Sequence, residues 1–66
     1  MKNTIKVQRA ILDLTQDDLA KKIGVSRQTI NSIEKNRYIP STVLALKLSN
    51  IFGISVNEFF NLEDDD

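Results

Sequence analysis

Ser26, Arg27, Gln28, Asn31, Ser32 and Lys35 crowd hydroxyl, guanidinium, amide and ammonium groups into one short segment, VSRQTINSIEKNRY over residues 25–38. A forked guanidinium can pair with guanine O6 and N7, and a carboxamide with adenine N6 and N7. Each such pair supplies ~1–3 kcal/mol of base discrimination. The spacing fits a helix in which Ile30 and Ile33 point inward, Arg27 and Gln28 fill the first turn, and Asn31 and Ser32 lie one turn further along near the same face. Ser26 is placed to cap that helix, leaving backbone N–H groups and the helix dipole facing outward, which favours a phosphate. On an isolated amphipathic helix the same residues would be a solvated face, so the neighbouring elements decide what the segment does.

Those elements read as short helices. A first helix is expected from about Thr4 to about Asp13, with Ile5, Arg9 and Leu12 on one face and Val7, Ile11 and Leu14 as a second stripe. Thr15, followed three residues later by Asp18, predicts an N-cap with an acidic first turn, and Leu19, Ala20 and Ile23 supply the apolar face up to a left-handed stop at Gly24. Only Val25 separates that stop from Ser26. A turn so short forbids an antiparallel return, so the two helices must cross steeply, which is the geometry of a helix-turn-helix. Pro40 and Ser41 then reset the chain, TVLALKLSNIF forms an apolar helix ended by Gly53, and Ser55 caps a last short helix containing Val56, Phe59 and Phe60. Five helices joined by short loops predict an all-α domain over residues 1–62, followed by an acidic tail, residues 63–66, expected to be solvated and disordered.

Composition narrows the function. The 66 residues contain neither histidine nor cysteine, which removes the commonest general base, nucleophile and zinc ligands; neither catalysis, a metal nor a cofactor is expected. No apolar run approaches the ~20 residues of a membrane span and no signal-peptide pattern opens the chain, so the expected location is cytoplasmic. The formal net charge of zero conceals a division. Residues 1–57 carry nine Lys and Arg against Asp13, Asp17, Asp18 and Glu34, a net +5, and residues 58–66 carry Glu58, Glu63, Asp64, Asp65 and Asp66, a net −5. A basic body is compatible with a polyanionic ligand, because the local field steers association. Lys21 and Lys22 are read as solubility charges. Tyr38, beside Pro40, is expected to pack its loop onto the body, the alternative being a contact with sugar or phosphate.

The stretch LTQDDLAKKIGVSRQTINSIEKNRYIPS, followed by LALKLSNIFGISVNEFF, resembles the phage-repressor-like (XRE-type) helix-turn-helix regulators, the group that includes the lambda repressor. The resemblance runs from about Ile5 to Phe60. It implies that Gln16 anchors the second helix on a phosphate with reach to a base at the edge of the site, that Arg27, Gln28 and Ser32 contact base edges, and that Lys35, Asn36 and Arg37 form a backbone-contacting loop. Asn31 is added from its position on the helix. The resemblance also implies a partly buried structural ion pair between Arg9 and Glu34. Asn36 stands where many relatives have glycine, and asparagine tolerates the left-handed conformation better than most residues. The implied function is sequence-specific binding of double-stranded DNA by a transcriptional regulator, more in keeping with a repressor, on a pseudo-palindromic operator. The alternative is an antitoxin-like or co-regulatory subunit that acts on an unidentified protein partner.

Consecutive Phe59 and Phe60 cannot both face one core from a short helix, so at least one is expected at the surface. With Ile54 and Val56 it would form a homodimer interface. The alternative is that the tail folds back over them, FNLE pairing with MKNTI as a short terminal β-ribbon.

Overall fold

A computed structural model describes residues 1–66. The chain runs β1 (Lys2–Asn3), α1 (Ile5–Ile11), α2 (Gln16–Ile23), α3 (Arg27–Glu34), α4 (Thr42–Phe52), one 3₁₀ turn (Val56–Glu58) and β2 (Phe60–Asn61). The α2 boundary is set by a capping box: Thr15 Oγ1 accepts from the Asp18 amide and Asp18 Oδ2 accepts from the Thr15 amide, both at 3.0 Å. Gly24, at φ +77°, ends the helix, and the Val25 amide reaches back to the Ala20 carbonyl. Ser26 then caps α3 by accepting from the Thr29 amide at 3.2 Å. Leu19, Ala20 and Ile23 of α2 and Ile30 and Ile33 of α3 are all buried, so the two helices share one apolar seam.

Asn36 takes φ +59° after α3, and the Arg37 amide donates to the Ser32 carbonyl at 2.9 Å, so the asparagine fills the left-handed position usually given to glycine. Asn3 fixes this corner from β1, its amide donating to the Ile33 carbonyl at 2.9 Å and to Asn36 Oδ1 at 3.0 Å. Ser41 caps α4 and Gly53, at φ +69°, ends it. The core consists of Ile5, the α2 and α3 residues above, Leu48, Phe52, Phe59 and Phe60.

Three expectations are corrected. The final helix is a single 3₁₀ turn, so four α-helices are present. Phe59 ends that turn and Phe60 enters β2, whose register with β1 pairs Lys2 with Asn61 and Asn3 with Phe60. For this reason both phenylalanines are buried, contrary to the reading that one must be exposed. Phe59, at ψ −7°, lies outside the extended strand, and this bend lets the two rings pack together, centroids 5.0 Å apart, in one core. The Phe59 ring meets Phe52 edge to face, with centroids 5.1 Å apart, and Phe60 lies beside Met1 and Ile39. In α1 only Ile5 is buried, and Val7 and Ile11 face solvent at 55% and 69% exposure. The acidic tail also differs from a disordered end: Glu63 and Asp66 contact the Met1 amino group at 3.1 and 3.0 Å, and Asp66 Oδ2 accepts from the Glu63 amide.

Candidate nucleic-acid interface

Gln16 opens α2 and lies against the later half of α3, where it bonds Asn31 and Glu34, while Arg27 opens α3 itself. Gln16, Arg27, Gln28, Asn31 and Lys35 surround one concavity of about 560 Å³ with no apolar residue in its lining. Five of the nine predicted contact residues therefore meet in one place. Ser32 does not line it. It lies in an adjoining groove of about 250 Å³ with Gln28, Thr29 and Tyr38, which makes Gln28 the residue common to both. Asn36 and Arg37 follow in the corner at the far end of α3, and Ser26 is occupied at the helix start, its hydroxyl 3.0 Å from that of Thr29.

Two residues lining the larger concavity, Gln16 and Asn31, belong to an interlocked polar network centred on Glu34. Glu34 receives Arg9 Nε at 2.6 Å and Arg9 Nη2 at 3.1 Å, and Arg9 Nη1 donates to the Leu14 carbonyl at 3.0 Å. Both side chains are largely buried, and the bond to Glu34 holds the Arg9 guanidinium above its ordinary value against the opposing effect of desolvation. Gln16 Nε2 donates to Glu34 Oε1 at 3.2 Å and to Asn31 Oδ1 at 3.4 Å. A carboxylate only accepts, so the amide nitrogen must face it and Gln16 Oε1 is left pointing elsewhere. Asn31 has its NH₂ group free, and its oxygen, met by Gln16 at 3.4 Å, keeps a second lone pair.

No internal hydrogen bond engages the Arg27 or Gln28 side chain, and the ion pairs of the chain take neither Arg27, Lys35 nor Arg37. The exposed Lys21–Asp17 pair at 3.1 Å lies on another part of α2 and contributes little. The site can thus offer three unpaired cations, one free carboxamide and one NH₂ donor to a polyanion. Sequence reasoning missed the link from Glu34 to Gln16, because spacing within α3 does not say which residue of α2 lies opposite. Tyr38, expected to pack its loop or else to meet sugar or phosphate, is 46% exposed beside Gln28 and Ser32 and also borders Ile33 and Phe60.

The predicted interface residues Ile54 and Val56 are partly buried against the core. Val56 and Phe60 nevertheless line an apolar groove of about 270 Å³ with Met1, Ile39, Ala45 and Leu46. No helix is long and apolar enough to cross a membrane.

A sequence model of the helix-turn-helix family matches residues 5–59. An uncharacterized HTH-type transcriptional regulator of Methanocaldococcus jannaschii is 54% identical over 66 residues, covering 100% of both chains. The HTH-type transcriptional regulator YgzD of Bacillus subtilis is 42% identical over 65 residues, covering 98% of each. Among solved structures, the complex of SinR protein with SinI protein contains a similar fold at TM-score 0.77 and 28% identity; the match covers 92% of this chain and 65% of that one.

Proposed function

Because the chain belongs to the helix-turn-helix family of transcriptional regulators, we propose that it is a sequence-specific reader of double-stranded DNA, acting as a repressor by occupancy and not by catalysis. The observation that carries this reading is the polar concavity between the first turn of α2 and the outer face of α3, where Arg27 and Gln28 have no partner within the chain. In this reading α3 enters the major groove and α2 lies across the backbone. Gln28 is the carboxamide available for a bidentate contact with adenine, and Arg27 is placed for guanine or a neighbouring phosphate. Asn31 contributes its NH₂ group and the second lone pair of an oxygen that Gln16 meets at 3.4 Å. Ser26, Lys35, Asn36 and Arg37 serve the backbone, Gln16 joins them by turning one amide N–H from Asn31, its longer bond at 3.4 Å, to a phosphate oxygen, and Ser32 reaches a base edge from the adjoining groove.

A homodimer would set two α3 helices about one helical turn, ~34 Å, apart on a pseudo-palindromic operator in the cytoplasm. The groove shared by Val56, Phe60, Ile39 and Leu46 supports such an interface. It supports a second reading as well, a co-regulatory subunit bound to another protein, since the similar SinR chain was solved together with SinI.

Selection of the purified protein against a randomised duplex pool at near-physiological salt tests the reading. An inverted repeat enriched by the wild type and not by a Gln28→Ala, Ser32→Ala variant is the expected result. Affinity for it should fall with salt at a log–log slope of about −0.9 per phosphate neutralised. No enrichment by a folded wild type would overturn DNA reading and leave the protein partner.

A further inference from the structure

We propose that Tyr38 is a DNA-contacting residue whose hydroxyl donates to a phosphate oxygen bordering the groove lined by Gln28 and Ser32; the inference rests on the DNA reading proposed above. Gln28 and Ser32 stand four residues apart on α3 and so share a face. Tyr38 is not on that helix, yet it closes the same 250 Å³ groove from the side. The left-handed Asn36 brings this about by turning the chain back alongside α3.

The corner is held firmly. The Arg37 amide is fixed to the Ser32 carbonyl and Asn3 holds both Ile33 and Asn36, so the residues leading into Tyr38 are tied on two sides. Tyr38 also borders a second cavity, formed with Asn3, Ile33, Ile39 and Phe60, so its ring rests partly on the body. Such a tyrosine presents a polar tip from a rigid apolar base. No hydrogen bond within the chain uses its hydroxyl, and Arg37, the preceding residue, has no ion-pair partner, so a donor and a cation stand unengaged in sequence next to the groove. A neutral donor at the margin, set back from the helix that carries the base-reading groups, suits a phosphate better than a base edge.

The test compares wild type, Tyr38→Phe and Gln28→Ala on the selected operator, using a pool of duplexes ethylated at single phosphates. Tyr38→Phe keeps the ring, and thermal unfolding should show its fold unchanged. It should bind roughly tenfold more weakly, consistent with losing a hydrogen bond to a charged group. It should also lose sensitivity to ethylation at one phosphate in each half-site while keeping the wild-type base preference. Wild-type affinity and an unaltered ethylation pattern in Tyr38→Phe, with Gln28→Ala still impaired, would overturn the role of Tyr38 alone and return the residue to loop packing or a protein contact. Failure of the wild type to bind any duplex would overturn both readings.

Discussion

Glu34 holds two groups at once: the Arg9 guanidinium through both carboxylate oxygens, and the Gln16 amide through one of them. A carboxylate so close to a surface offered to phosphates would repel them if it were unpaired, and Arg9 supplies the compensating charge from beneath. Removing one member of a buried pair leaves the other desolvated and uncompensated, which costs about 3–5 kcal/mol. Arg9→Met should therefore lose about that much in urea denaturation and weaken DNA binding as well. Arg9→Met, Glu34→Leu should be less destabilised than Arg9→Met alone, because no stranded anion remains. If the double variant is the less stable, repulsion by the stranded charge is not the cause. At this scale the sequence was only partly legible. Arg9 and Glu34 came from family resemblance, and the free state of Gln28 against the engaged state of Asn31 depends on Gln16 across the seam, which no spacing within α3 discloses.

Between residues and the whole domain, caps mark the element boundaries. Thr15, Gly24, Ser26, Ser41 and Gly53 all stand where side-chain and backbone chemistry start or stop a helix, and α2, α3 and α4 begin and end accordingly. The misplaced elements lacked such chemistry or had competitors for it. α1 starts without a side-chain cap at Thr4, and its second apolar stripe has no facing partner. The last turn is cut short because β2 pairs with β1. The capping box has a signature in acid. Hydrogen bonds from the backbone and hydroxyl of Thr15 hold the Asp18 carboxyl below its ordinary value of 3.8. A group depressed on folding contributes stability above its unfolded value, and that contribution is lost as pH falls through the folded one. The unfolding temperature should accordingly drop on acidification below about pH 4. Asp66 is shifted in the same direction by the Glu63 amide and the Met1 amino group and adds to the slope. Asp18→Asn should flatten the acid limb without removing it; an unchanged limb would show that the box does not contribute.

Across the molecule, a small core is closed by its ends. Phe59 is fully buried against Phe52, β2 pairs with β1, and the Met1 amino group meets Glu63 and Asp66. The division of charge was legible in the sequence, whereas this closure stood there only as the alternative fate of the two phenylalanines. The exposed apolar surface accordingly shifts from them toward Ile39, Val43 and Leu46. Leu46, at 54% exposure, can be changed with little effect on the core. Leu46→Asp should leave the unfolding stability within about 0.5 kcal/mol of wild type and, for the homodimer proposed above, shift sedimentation toward the monomer and reduce affinity for a full inverted repeat more than for a half-site. An unchanged dimer would place the interface elsewhere. The β1–β2 ribbon also governs when a newly made copy becomes competent. On the ribosome α2 and α3 emerge first, and until residues 59–61 have cleared the exit tunnel the core beneath them lacks Phe59 and β1 has no strand to pair with. A half-synthesised copy thus carries α2 and α3 over a core that still lacks its closing phenylalanines.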